Sequence, residues 1–462
     1  MAKTATTTKP KKPAVVAAQT PSASDLPLTS AIVDGVEYPW YFLDFEWAGK
    51  LVSMASEREL WDIAKGEHGH PKPKSAKLRR ESERTLELAS QAYLIHTQFV
   101  IKDKAFNSVP FDHWNKGQQK IYHAKTWQEK NGLPVRIIVL KPRQTGVSTQ
   151  IGAFCTCPVV TRENQSAACI TDKRSHTQNI FSMQVQFYQS LANSIPANEV
   201  PQLQRCTQRK EDGELVLGAH LRNMQRAKRQ SKEEQEAKGP ILNSKIMTFT
   251  AKAVGREHSY TVGILHGSEV PYWGDNAPDI WLGFAQSVPY RVGTMMFIEG
   301  TAHGAGDWFN SQWDNAELSL SDFVPVFFGW QDFPWSWDHA TQKWVREYSR
   351  ELPLEHRSPE GRVQYEELFS DKEREMKERF GLTLEQIHWR RAKIITDCNG
   401  DERQFQQEFP STAAEAFIGG GNNVFPPVVI EYYLDQTAVQ SPGNVPVWQG
   451  NFSWHQEKPV LW

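Results

Sequence analysis

Val139-Leu-Lys-Pro-Arg-Gln-Thr-Gly-Val-Ser-Thr149 is the stretch that decides how this chain folds. The run before it, Arg136–Leu140, has the composition of a buried strand, and Gln150-Ile-Gly-Ala-Phe154 after it reads as a helix. In a strand, glycine-containing loop and helix opening on Ser and Thr, successive backbone N–H groups and the helix N-terminus converge on one anion. The loop departs from the usual G-x-x-x-x-G-K-[ST] pattern. Val147 stands where the lysine belongs, and Lys141 stands where the first glycine belongs. A phosphate-binding cation would therefore enter from the start of the loop.

Outward from this loop the pattern alternates. Apolar runs recur at Ser166–Thr171, Lys245–Phe249, Thr261–Leu265, Met295–Glu299 and Phe323–Phe327. Helical stretches separate several of them; in Ser175–Leu191, Ile180, Met183, Phe187 and Leu191 share one stripe. Strand–helix alternation with buried-type strands predicts an α/β domain with a mostly parallel sheet flanked by helices. After Trp330 the character turns helical. Ser370-Asp-Lys-Glu373 and Thr383-Leu-Glu-Gln386 are capping boxes, Gly381 ends the first of these helices, and the second runs to about Ile395. The expected organisation is a mobile tail (1–37), an N-terminal helical segment (38–105), a phosphate-loop domain (106–330), a small helical lid or linker subdomain (331–418) and a linker (419–462).

Composition bounds the function. The net charge of −2 over 462 residues rules out a polycation, so any nucleic-acid surface must be a local patch. No apolar run is long enough for a membrane span, and the basic N-terminus lacks a following signal core. Five cysteines, with Cys155, Cys157 and Cys169 in expected core elements, point to a reduced compartment. Cys155 and Cys157 point to different sides of a helix and make a poor metal pair. His68 and His70 read as loop residues.

Two further signals follow the loop. Tyr260–Val270 is an apolar strand ending in Ser268-Glu269. ATP hydrolysis needs a carboxylate at a strand end to orient the attacking water, and Glu269 fits. The position before it normally carries an aspartate for the magnesium shell. Here it is Ser268, which leaves Mg2+ to rest mainly on Ser148, the phosphates and water. Then Met295–Gly306 delivers Thr301 and a glycine-rich turn to the same sheet edge. Taken alone, that turn serves backbone geometry.

The ordered set resembles the large terminase subunit of tailed bacteriophages, the ATP-driven motor that packages DNA into an empty capsid. The resemblance spans Phe106 to Phe425. It rests on Lys141–Thr149, on Leu265-His-Gly-Ser-Glu-Val-Pro-Tyr-Trp273, on Glu299-Gly-Thr-Ala-His-Gly304 and on Phe405–Phe417 followed by Gly421 and Val424-Phe425. It implies a P-loop NTPase fold of the ASCE type that uses ATP and Mg2+. Lys141 and the backbone of Gln144, Thr145, Gly146, Val147, Ser148 and Thr149 would hold the phosphates. Ser148, with Ser268 as a weaker ligand, would hold Mg2+; Glu269 would be the catalytic carboxylate, and Thr301 would couple hydrolysis to motion. Gln118 resembles the glutamine that reads adenine, with Gln119 competing. Arg143 would touch phosphate or switch between states. Arg256 is the candidate for an arginine supplied to a neighbouring subunit in a ring.

The implied partners are double-stranded DNA, the portal protein, a small terminase subunit and further copies of the chain. The implied location is the bacterial host cytoplasm, transiently the procapsid portal vertex. Full-length relatives continue into a metal-dependent nuclease. Val424–Trp462 holds no acidic cluster, so nuclease activity is not expected of this chain. Arg222, Arg226, Lys228 and Arg229 occur without an intervening acid and are the local candidates for phosphate-backbone contact. An acidic run, Glu233-Glu-Gln-Glu236, follows them. The competing readings are a helicase-like translocase and a nucleotide-gated DNA-binding module that does not hydrolyse ATP.

Overall fold

Strand β7 (Val135–Leu140) is buried along its whole length, because it lies inside the sheet and is covered on both faces. Ile137 and Val139 face one apolar layer with Phe154 and Phe297, while Ile138 and Leu140 face the other with Trp281 and Phe309. This is the two-residue alternation of a strand, with both faces apolar. The computed structural model describes residues 26–194, 206–209, 213–217, 243–251, 261–304, 306–333, 335–418, 452–455 and 458–461.

Ahead of β7 come β1 (Ser30–Val33), β2 (Val36–Pro39), β3 (Phe45–Trp47), β4 (Lys50–Val52), β5 (Val100–Lys102) and β6 (Ser108–Pro110). Helices α1 (Ala55–Lys65), α2 (Ala76–Ala89) and α3 (Gln91–Gln98) lie among them, and α4 (Lys116–Lys130) precedes β7. The expectation of a mobile tail to residue 37 needs correction. Ser30–Val33 pairs with Val36–Pro39 across Asp34-Gly35, both in the left-handed region at φ 51° and 87°. Asp-Gly at such a turn favours a tight hairpin. Tyr38, Trp40, Tyr41 and Phe42 share a core with Ile121, Tyr122 and Phe154, so this N-terminal segment packs on the sheet domain.

The sheet continues with β8 (Ser166–Thr171), β9 (Cys206–Arg209), β10 (Glu214–Leu217), β11 (Ser244–Thr250), β12 (Ile264–Ser268), β13 (Met295–Gly300) and β14 (Val324–Phe327). Its order is β14-β7-β13-β12-β8-β11-β10-β9. The six strands from β14 to β11 are parallel, and β10 and β9 add antiparallel at one edge. Helices α5 (Val147–Thr161) and α6 (Arg174–Ser194) follow β7 and β8; α7 (Ala277–Ala285) and α8 (Trp308–Glu317) follow β12 and β13. Cys155, Cys157 and Cys169 are buried free thiols whose burial pushes their pKa up, so they are unreactive core residues.

Beyond β14, a hairpin of β15 (Trp335–Asp338) and β16 (Lys343–Arg346) leads into α9 (Pro359–Glu367), α10 (Asp371–Phe380), α11 (Leu384–Thr396), α12 (Glu402–Glu408) and α13 (Ala413–Ile418). Both expected capping boxes form, on α10 and α11, and Gly381 ends α10 at φ 63°. These helices enclose their own apolar cluster around Trp330, Phe369, Ile387 and Phe405. Trp330 ties it to the chain's later turn by donating from Nε1 to Ser411 Oγ at 3.1 Å.

Candidate nucleotide-binding site

The loop after β7 is fixed by its neighbours. Lys141 N donates to Gly300 O on β13 at 3.2 Å. Gln144 and Gly146 are left-handed, at φ 61° and 74°, and Gly146 opens α5. The left-handed backbone favours glycine at 146, and a Cβ there would push aside the Gln118 amide, whose Nε2 would lie at 2.9 Å. Val147, where the usual lysine would stand, is 1% exposed and belongs to the apolar core.

The cation comes from Lys141. Its Nζ lies 3.0 Å from Glu269 Oε1 and 3.1 Å from Glu299 Oε2. Burial acts to lower its pKa, but the two carboxylates outweigh it and hold the ammonium charged. Glu269 sits just past β12 in the left-handed region at φ 51°, uncommon for a residue with a Cβ. Such a conformation costs on the order of 1–3 kcal/mol and clusters at functional sites. It turns the Glu269 carboxylate toward the lysine while Val270–Tyr272 leaves in a short 3₁₀ turn.

Glu299 reads in the sequence only as the start of a turn motif, yet it is the centre of the site. It is fully buried on β13. Its Oε1 accepts from Ser268 Oγ at 2.6 Å and Ser148 Oγ at 2.8 Å, and lies 3.3 Å from His266 Nε2. His266 Nδ1 is 3.5 Å from Cys169 Sγ, which fixes the tautomer with Nε2–H toward Glu299 if the thiol donates. Burial alone would raise the pKa of Glu299; Lys141 and the donors from His266 and Ser268 reverse this and keep it ionised. The signal for it is a lone carboxylate in the apolar run Met295-Met-Phe-Ile-Glu299.

The other expected residues take separate places. Thr301 is fully buried, and its Oγ1 has no hydrogen-bond partner among the described residues. Arg143 turns away from Lys141: its guanidinium pairs with Glu408 on α12 and donates to Tyr272 Oη at 3.0 Å. Gln118 caps α4 reciprocally with Asn115 and donates to Gly146 O at 3.0 Å. Gln119 donates instead to Leu28 O at 2.7 Å. Thr145 is buried, and Thr149 Oγ1 contacts Met183 Sδ at 3.4 Å. Arg256, Arg222, Arg226, Lys228 and Arg229 lie outside the described residues.

A cleft of about 760 Å³ reaches the loop along Gln144, Thr145, Gly146 and Thr149, with Gln118, Phe333 and Tyr348 among its walls. That volume lies within the range of small-ligand pockets, on the order of 300–1,000 Å³. Lys141, Glu269 and Glu299 are not part of its lining. The cleft lies on one side of the loop, and the charged cluster meets the loop separately. On the outer wall, Asp112, His113 and His339 come close enough to share a metal ion. His113 there is stacked on Trp337 at 4.0 Å and bonded to Asp112 at 2.7 Å, contacts that also serve simply to seat the β15–β16 hairpin. His68 is bonded to Asp62 and Tyr38, at 2.9 Å each.

The strand order places β13 between the loop strand β7 and the acidic strand β12, and all three end at this cluster. Together with the loop, this makes an α/β fold with a mostly parallel sheet flanked by helices, the glycine-containing loop joining β7 to α5. No protein-family model and no curated protein matches the chain. Solved structures similar to it include the large terminase ATPase domain of Thermus phage P74-26, at 14% identity and TM-score 0.35 over 60% of this chain and 87% of that one. The HK97 bacteriophage large terminase aligns at 11% identity and TM-score 0.42, over 71% of this chain and 55% of its own. A large terminase from a thermophilic bacteriophage, in complex with ATP-gamma-S, aligns at 10% identity and TM-score 0.30, over 48% and 46%. At such scores the likeness adds nothing to what the site itself argues.

Proposed function

We propose that this chain is the ATP-hydrolysing motor of viral DNA packaging, translocating double-stranded DNA into a procapsid. The observation that carries the reading is the convergence of Lys141, Glu269 and Glu299 from three adjacent parts of the sheet, with Nζ within 3.1 Å of both carboxylates. A buried ion cluster is a poor way to add stability, since the desolvation of each charge costs several kcal/mol. It is well suited to a site where charge develops on transferring phosphate.

In this reading the loop backbone and Lys141 hold the phosphates, and Glu269 orients the attacking water and accepts its proton. The hydroxyl of Ser148 beside a carboxylate is an all-oxygen donor set that fits a hard divalent cation. Mg2+, when bound there, would offset phosphate charge. Arg143 links the loop to Glu408 of α12, a residue inside the Phe405–Phe417 segment, so a change in the loop has a direct route to the helical subdomain. Thr301 follows Gly300, whose carbonyl holds Lys141 N, and would couple loop and strand. Double-stranded DNA, a portal protein, a small terminase subunit and other copies of the chain are the proposed partners, in the host cytoplasm and at the portal vertex. Arg256 is the proposed arginine acting across a ring interface.

The test is packaging itself. Purified procapsids carrying a portal, with linear double-stranded DNA and the small subunit, should protect DNA from nuclease when this chain and ATP are added, and Glu269→Gln should abolish protection. ATP-driven separation of a forked duplex without protection would favour the helicase-like reading. ATP binding without turnover would favour a nucleotide-gated module.

A further inference from the structure

The acidic strand lacks the aspartate that normally precedes the catalytic glutamate, because that position is Ser268. We infer that Glu299 supplies the missing carboxylate from the neighbouring strand, anchoring Ser148 for the Mg2+ of a bound nucleotide; this rests on the ATPase reading above. The sheet register makes the substitution possible. Ser268 pairs with Glu299 across β12 and β13, and Glu299 pairs with Val139 across β13 and β7. Paired residues on parallel strands present their side chains to the same face, about 4.8 Å apart. A carboxylate moved one strand sideways therefore stays on the face of the sheet that meets the loop. It also moves toward β7, the strand that leads into the loop.

The contacts match this role. Ser148, at the position that normally carries the magnesium ligand, donates its proton to Glu299 Oε1 at 2.8 Å. A hydroxyl so engaged directs its oxygen lone pairs away from the carboxylate, toward a cation. Ser268 donates to the same oxygen at 2.6 Å, so the serine at the vacated position orients the replacement instead of acting as a ligand. Oε2 faces Lys141 at 3.1 Å and has no hydrogen-bond partner among the described residues. Glu299 is a positioning residue: it acts through Ser148 and Lys141.

The experiment titrates Mg2+ against a fluorescent ATP analogue bound to the full chain, beside nucleotide affinity in EDTA and steady-state turnover. Glu299→Gln keeps the volume and can still accept from Ser148 and Ser268. It should raise the half-saturating Mg2+ concentration about 10- to 100-fold, the usual loss for a residue that orients a metal ligand. Affinity in EDTA should change far less. Ser268→Asp in the Glu299→Gln background should restore Mg2+ dependence to near the wild-type value, because it returns a carboxylate to β12. Ser148→Ala and Glu299→Gln should be non-additive on the same readout, a second check that stands if the Ser268 variant fails to fold. An unchanged Mg2+ midpoint in Glu299→Gln, or additive losses in the Ser148 pair, would overturn the inference while leaving the ATPase reading intact. Failure of the wild type to bind nucleotide in either condition would overturn both.

Discussion

Two cations leave the same loop two residues apart and meet different fates. Lys141 is 4% exposed and held between two carboxylates on the sheet. The Arg143 side chain is 50% exposed and reaches outward to Glu408 and Tyr272. The first is the cation that, in the proposed function, would meet phosphate charge. The second joins the loop to the helical subdomain. Burial decides the difference, because a buried charge that loses its partner leaves the other uncompensated, whereas a solvated one is taken up by water. A buried and an exposed ion pair thus occupy one loop and can be altered separately.

Lys141→Met should produce the largest effect. It strands Glu269 and Glu299, and a broken buried pair costs about 3–5 kcal/mol, read as a fall in thermal midpoint together with lost nucleotide binding. A Lys141 variant as stable as wild type would break the contrast between the two cations. Glu269→Gln should cut turnover by about 10²- to 10⁴-fold while nucleotide still binds, as expected for a group that handles the proton in the transition state. Binding and turnover lost together would make Glu269 a phosphate-site residue instead.

The aromatic layer beneath α4 gives a pH prediction of intermediate size. Burial lowers His96 to about 4 and His123 to about 4, from an ordinary 6.5. Because these values are lower in the folded chain, the unfolded chain takes up protons first as pH falls. Their contribution is therefore full above about 6.5 and is lost between 6.5 and 4, by up to about 3 kcal/mol for each residue. Thermal midpoints across that window should fall for the wild type and fall about half as steeply in His96→Phe, which retains His123 and whose ring can keep the packing on Tyr41 and Trp114. An equally steep fall in the variant would place the sensitivity elsewhere.

The smallest change in stability belongs to Arg143→Ala, about 1 kcal/mol or less. That loss should shrink further in high salt, unlike the Lys141 effect, because only the exposed pair is screened. A large, salt-independent loss at Arg143 would erase the distinction.

Much of the fold can be read from pattern. The run Ser166–Thr171 is β8 residue for residue, and both capping boxes open helices, since each depends on local chemistry. What depends on pairing is less visible. The acidic strand is legible at its end, Ser268-Glu269, but not at its start: it opens at Ile264 and not at Tyr260 or Thr261, because its pairing with β8 and β13 begins there. Strands β9, β15 and β16 have no comparable apolar run to announce them, and the short run Leu215-Val-Leu217 of β10 is set among charged and polar residues. β9 and β10 sit in or beside a charged segment, and β15–β16 is a tryptophan-rich hairpin closed by polar residues. At the site, Lys141, Ser148 and Glu269 are recognisable from spacing. Glu299 is not, because its importance comes from the lateral register Ser268↔Glu299, which no stretch of sequence displays. The sign that remains is a buried charge in an apolar strand, a feature that calls for a partner.

Whether three strand ends form one ATPase centre is decided by phosphate release from ATP at high protein concentration, with and without double-stranded DNA. Wild type is compared with Glu269→Gln, and nucleotide binding is followed in parallel. Turnover in the wild type, raised by DNA, is expected beside binding without turnover in the variant. Equal phosphate release from both proteins would contradict a shared centre built on Glu269.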